Sequence, residues 1–196
     1  MMTTHDVRAA TVAEKAAVFA TLALAFSADP ASRWTWPDAR TYLEAFPHFA
    51  MAFGGAAFEK GSALRVGSAG AALWLPPGTG PDEAALNDLM MRTADAATAV
   101  DGPQLMQQMA SHHPKEPHWY LPLLGVDPAH QNQGVGGALL RHITDQCDRD
   151  GVLAYLESSN PRNIPLYQRH GFEILGRAQS GKSPVITPML RKPQRR

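Results

Sequence analysis

Between Trp119 and Gly137 the chain reads Trp-Tyr-Leu-Pro-Leu-Leu-Gly-Val-Asp-Pro-Ala-His-Gln-Asn-Gln-Gly-Val-Gly-Gly. An apolar run ends at Val126, Asp127-Pro128 turns the chain, and a glycine-rich loop opens into an amphipathic segment. Strand, glycine loop and helix N-terminus in that order make an anion site. Backbone N–H groups without helical partners converge there, and the helix dipole favours negative charge. The chemistry is the binding of a phosphate-bearing ligand, and the glycines narrow which one. A nucleotide P-loop needs Lys and then Ser or Thr after its last glycine, whereas Gly136 is followed by Gly137-Ala138. A dinucleotide-binding turn needs a third glycine where Leu139 stands, and an N-terminal position with further βαβ units.

The elements that must position this loop follow from periodicity. Val135, Leu139, Leu140, Ile143 and Cys147 make the apolar face of a helix from Gly134 to about Arg149, stopped by Gly151. Val152 to Leu156 is a buried strand, so the unit is strand–loop–helix–strand with a parallel crossover. Asn160-Pro161-Arg162-Asn163 begins a helix from Ile164 to about His170, and Phe172–Ala178 and Val185–Arg191 read as two last strands.

Upstream, His5–Ala10 reads as a short strand, and Thr11 with Glu14 forms a capping box ahead of a helix ending near Ser27. Ser32 to Trp36 reads as a loop. Pro37 opens a helix whose stripe of Tyr42, Phe46, Phe49 and Phe53 packs in the core, with Pro47 kinking or dividing it and Gly54-Gly55 ending it. Ala63–Val66 and Ala71–Leu75 form a hairpin. Pro81 to about Ala97 is one helix and Leu105–Ala110 a short one, before a loop from His112 to His118. Its three histidines, broken by prolines, give no helical i, i+4 pair, and no close carboxylate or cysteine completes a known metal pattern, so no metal is expected.

Composition sets the outer bounds. The chain has 196 residues, 44% hydrophobic and 18% charged, which suits one globular domain. Eighteen basic residues balance eighteen acidic ones, so neither nucleic acid nor an anionic membrane is favoured as partner. The basic run Arg191–Arg196 reads as a frayed, solvated terminus. One cysteine, Cys147, excludes an internal disulfide and reads as a small core residue. No apolar run reaches the roughly 18 residues of a membrane span. No signal peptide is evident before Val7, and a cytoplasmic protein is the default expectation.

Two blocks together resemble a known family. Gln131-x-x-Gly134-x-Gly136 after Leu-Gly-Val-Asp-Pro, and Asn160-x6-Tyr167-x3-Gly171-Phe172, are similar to the paired motifs of the GNAT superfamily of acetyl-CoA-dependent N-acetyltransferases. Within it, His113-Pro114-Lys115-Glu116-Pro117-x-Trp119 and Pro161-Arg162-Asn163 look closest to the puromycin N-acetyltransferase-like branch. The likeness covers residues 112–176, and earlier residues agree only in the order of elements.

The resemblance implies an α/β fold: a twisted mixed sheet of six or seven strands with about four or more helices. Strands at 119–126 and 152–157 splay apart in it. It implies a coenzyme A core at 119–176 and acceptor-pocket elements mainly in 1–118, within a single domain of residues 1–196. The diphosphate would lie on Gln131, Asn132, Gln133, Gly134, Val135, Gly136 and Gly137. Pantetheine would pair with the strand edge at Leu124 and Val126, and Asn160 or Asn163 would bond acetyl-CoA. Glu157 at the strand end is the expected base, with His118 in reserve, and Tyr167 stands where the family places a general acid for the thiolate. The expected partner is a small-molecule primary amine, received near Trp34, Trp36 and Trp74, and family members are often homodimers. A non-catalytic acyl-CoA-binding or regulatory module and a protein or peptide N-acetyltransferase are the alternatives.

Overall fold

The computed structural model describes residues 5–194. Seven strands form one sheet: β1 (Arg8–Ala9), β2 (Ala63–Val66), β3 (Gly70–Leu75), β4 (His118–Val126), β5 (Leu153–Ser158), β6 (Glu173–Ile174) and β7 (Thr187–Arg191). Their spatial order is β1-β2-β3-β4-β5-β7-β6. Every neighbouring pair is antiparallel except β4 and β5, which are parallel and joined by a helix, α6 (Val135–Asp150). The expected mixed sheet with a parallel crossover is therefore present.

Two irregularities in β4 shape the centre of this sheet. Its pairing with β5 runs from His118↔Leu153 to Leu121↔Leu156 and stops there, although β4 continues to Val126 and β5 to Ser158. Against β3, Leu73 faces Leu123 but Leu75 faces Tyr120, so β4 carries one extra residue. Pro122, which has no N–H to give a ladder, lies in this bulge. A bulge reverses which residues face each side. Trp119, Leu121 and then Leu124 and Val126 pack on the α6 face, whereas Tyr120 and then Leu123 face the other layer.

That other layer is built from α1 (Lys15–Phe26) and α3 (Ala39–Gly54). Tyr42, Phe46, Phe49 and Phe53 form a continuous aromatic ladder along α3, with centroid separations of 5.0 to 5.9 Å, as their spacing predicts. α1 comes so close to β4 that a Cβ on Gly125 would lie 2.6 Å from Ala25 Cβ. Cys147 is buried in the opposite cluster with Leu139, Leu140 and Ile143, and burial pushes its thiol up to about 12.

Several sequence expectations are corrected, chiefly where an acid caps a helix. Ser32–Trp36 is not a loop: Asp29 accepts from the amides of Ala31 and Ser32, and Pro30 opens α2 (Pro30–Thr35). Pro37 precedes α3, whose cap is Asp38, and α3 runs on through Pro47 undivided. The helix expected over 81–97 is two. Asp82 caps α4 (Glu83–Thr93) and Asp95 caps α5 (Ala96–His112), so the short helix expected at 105–110 is one part of a 17-residue helix containing Pro103. Seven α-helices lie among the described residues, within the four or more expected, the last being α7 (Ile164–Arg169). β1 and β6 are two residues each, shorter than expected. Arg191 is not frayed. It lies buried in β7, makes two 2.7 Å bonds to Asp148 and donates to the carbonyl of His170. The last two residues of that basic run lie outside the described residues.

Candidate active site

Where β5 leaves β4, the edge of β4 from Pro122 to Val126 loses its strand partner on that side, and a slot opens there. Phe26, Leu121, Pro122, Leu124, Leu156, Glu157, Ser158, Ser159, Asn163 and Tyr167 line it, around a cavity of about 40 Å³. It joins the two layers, because Phe26 belongs to the α1 side and Tyr167 to the α6 side.

The loop into α6 closes one end. Asn132 at φ 60° and Gly134 at φ 87° both adopt left-handed conformations, which asparagine tolerates better than most side chains and glycine adopts freely. Gly134 is the N-cap, no side chain caps the helix, and its first turn holds no acid. Gln131 and Gln133 turn their amide nitrogens back to the carbonyls of Val126 and Ala129, at 3.3 and 3.4 Å. The amides at the start of α6 are thus left to an external acceptor, and the donor set fits an anion such as the diphosphate of coenzyme A. Gly136 sits against Leu124, Val126 and Leu166, which would touch an added Cβ at 3.4 to 3.7 Å. This close packing docks the helix start onto β4 and α7. Val135 is buried beneath it, and Gly137 lies against His170.

Asn160 and Asn163 diverge. Asn160 Oδ1 accepts from the amide of Arg162 and caps a 3-10 turn at Pro161–Asn163. The Asn163 side chain caps nothing and lines the slot. Tyr167, on α7, is buried, and its phenol pKa is pushed far up by burial and then by the nearby Asp29 carboxylate. A phenol so placed holds its proton throughout the neutral range.

Glu157 enters the slot on the α1 side of β5. Its two oxygens accept from two tyrosines, Oε2 from Tyr120 at 2.7 Å and Oε1 from Tyr155 at 3.0 Å. Burial raises its pKa and the two phenols pull it back, with burial the larger effect. Each carboxylate oxygen keeps a second lone-pair site for an incoming donor. His118 does not reach the carboxylate: its Nδ1 bonds the Glu116 carbonyl at 2.8 Å and its Nε2 meets His113 Nε2 at 3.1 Å. The histidine pair stacks edge-on against Tyr155, and His113 also against Tyr120. Trp36 and Trp74 are core residues, one in each layer, while Trp34 packs with Leu105, Ala178 and Ile186.

Sequence reasoning misses three partners of the slot. Tyr155 and Glu157 are two apart on a strand and so share a face, a signal that was readable. Tyr120 reaches the same carboxylate only because the β4–β5 register sets it opposite Tyr155. Asp29 reaches Ser159 Oγ at 2.7 Å across 130 residues, and no local pattern announces that.

Residues 97–172 match the acetyltransferase (GNAT) family model. An uncharacterised N-acetyltransferase of Schizosaccharomyces pombe is 32% identical over 79 residues, 39% of this chain and 32% of that protein. The ribosomal protein bS18-alanine N-acetyltransferase of Escherichia coli K12 is 44% identical over 52 residues, 25% of this chain and 35% of that protein. The chain thus spans about a third of the length of these curated relatives. A Corynebacterium glutamicum crystal structure, described as histone acetyltransferase HPA2 and related acetyltransferase, shares the fold with a TM-score of 0.67. The two are 26% identical, and 97% of each chain is covered. The glycine loop, β4, β5 and the α7 tyrosine all lie inside the matched segment, so residues 97–172 are similar to the GNAT acetyltransferase family, and the chain shares its fold with the Corynebacterium glutamicum structure.

Proposed function

We propose that this protein transfers acetyl from acetyl-CoA to the primary amine of a small molecule, by direct attack within a ternary complex. One observation carries the reading: Glu157, on the α1 side, and Tyr167, on the α6 side, line one cavity where β4 and β5 part. Thioester and amine would enter from opposite layers, and each proton transfer has a residue on its own side.

In this reading the diphosphate rests on the amides of residues 131–137, and pantetheine pairs with the free edge of β4 at Leu124 and Val126. The Leu124 amide is the proposed donor to the developing oxyanion, a contribution on the order of 3 kcal/mol where such donors have been removed. Glu157, directly or through a water, takes the proton from the ammonium form of the acceptor. The amine then attacks the thioester carbonyl carbon, and the tetrahedral intermediate expels the thiolate, which takes a proton from Tyr167, while the attacking nitrogen gives up its second proton to solvent, from which Tyr167 is reprotonated. Asn163, free of a capping duty, is the better of the two asparagines to bond acetyl-CoA. The chain acts as one domain, with 119–176 holding acetyl-CoA and the elements of 1–118 receiving the amine.

The choice of a small amine rests on how the acceptor side is covered. Gln108 exchanges two 2.9 Å bonds with the backbone of Gln179, Gln104 accepts from Ser180 Oγ at 3.0 Å, and Asp101 accepts from the Lys182 amide at 2.9 Å. α5 is thereby strapped to the connection between β6 and β7, with Leu105 and Met109 packed on Trp34 and Ala31 of α2. A peptide acceptor needs an open groove, whereas α5 and its strap cover this part of the layer. The motifs at His113–Trp119 and Pro161–Asn163, similar to the puromycin N-acetyltransferase-like branch, favour the same class. The test is thiol release from acetyl-CoA across a panel of aryl, alkyl and polyamine substrates, beside peptides with free N-termini. Turnover confined to the peptides would overturn the small-molecule reading.

A further inference from the structure

The segment ahead of β1 does something its sequence does not suggest. His5 Nε2 lies 2.7 Å from the carbonyl oxygen of Gln133, 128 residues further along. That oxygen can only accept, so Nε2 carries the hydrogen. The ring also lies against Gly134, whose α-carbon would place a Cβ 3.5 Å from Nε2. Val7, two residues on, packs on the cluster containing Val135 and Leu139, which anchors the segment to the start of α6.

A trans peptide is planar, and its C=O and N–H point to opposite sides. A donor fixed on the Gln133 carbonyl therefore fixes where the Gly134 N–H points. The position needs such a restraint. Gly134 sits at φ 87° with no side chain, and glycine lets the plane turn over at little cost.

We propose that His5 is a positioning residue for the diphosphate-binding loop, holding the 133–134 peptide so that the Gly134 amide faces the anion. This rests on the coenzyme A reading of the loop. Losing one such bond from the pre-ordered loop should weaken coenzyme A binding about tenfold.

The test uses the full chain with His5→Phe, which keeps a ring without the donor, and His5→Gln, which restores an N–H donor. Coenzyme A affinity is measured by calorimetry, and the Gly134 amide resonance is followed in labelled protein. The expected result is about tenfold weaker binding for His5→Phe with an unchanged melting temperature, recovery with His5→Gln, and loss of the Gly134 amide shift on adding coenzyme A. Equal affinity in wild type and His5→Phe, or loss that His5→Gln does not recover, would overturn the role of His5. A wild-type protein that binds no coenzyme A would instead overturn the reading of the loop, and the inference with it.

Discussion

The Tyr120 hydroxyl donates to Glu157 Oε2 at 2.7 Å from the neighbouring strand, while Tyr155 donates to Oε1 at 3.0 Å from the same strand. The carboxylate is therefore fixed in direction and subject to two opposed influences on its charge. Burial disfavours the anion and the phenols favour it, with a net rise from the ordinary carboxylate value. In its proposed role as base Glu157 works only when ionised, so activity should fall as pH drops through its pKa. The raised pKa sets that acid limb above the usual carboxylate range of about 4. Tyr120→Phe removes an influence that lowers the pKa, so the limb should move further up in pH. A kcat/KM–pH profile reads this, and a limb that stays put or moves down contradicts the assignment.

Removing either proposed proton-transfer group should act on the chemical step. Glu157→Gln and Tyr167→Phe should each lower turnover about 10²-fold while leaving coenzyme A affinity near wild type. Steady-state kinetics with parallel calorimetry separates the two quantities. Unchanged turnover in Tyr167→Phe would leave it a packing residue between α7 and the sheet.

Gly134 pays for its place in the loop with backbone freedom that no other residue matches. At φ 87°, Gly134→Ala carries a left-handed strain of about 1–2 kcal/mol. The expected outcome is a lower melting temperature together with weaker coenzyme A binding. Gly151→Ala serves as the comparison, because Gly151 at φ 69° caps the far end of α6 and should cost stability alone.

Gly125→Ala tests how closely α1 presses on β4. Its Cβ would lie 2.6 Å from Ala25 Cβ and 3.1 Å from Leu22 Cδ2. Overpacking of this kind costs about 1–3 kcal/mol. Because Phe26 follows on α1 and lines the slot, turnover should fall along with stability. Urea unfolding and a rate assay on the same preparation check both.

Asp148→Ala should leave Arg191, a residue only 3% exposed, without its carboxylate. Breaking one side of a buried pair costs about 3–5 kcal/mol. The loss should show in equilibrium unfolding, and coenzyme A affinity should not change, since Arg191 pairs with Ala154 at the end of β5 away from the slot.

What the sequence determined by itself is local. The glycine loop and the helix it opens, the crossover to β5, the β2–β3 hairpin and the aromatic stripe of α3 all follow from spacing within a few residues, and the structure contains each. Local capping was readable too, yet Asp29, Asp38 and Asp95 were missed as helix starts, and with them α2 and the true extent of α5. Only the tertiary structure decided where β4 and β5 part, because that depends on the bulge at Pro122 and on strand register rather than on either strand alone. It also decided that Tyr120 meets Glu157, that Asp29 meets Ser159 and that His5 meets Gln133. Those partners lie 37, 130 and 128 residues apart, and periodicity, which reports only which face a residue occupies, cannot say which distant residue shares it.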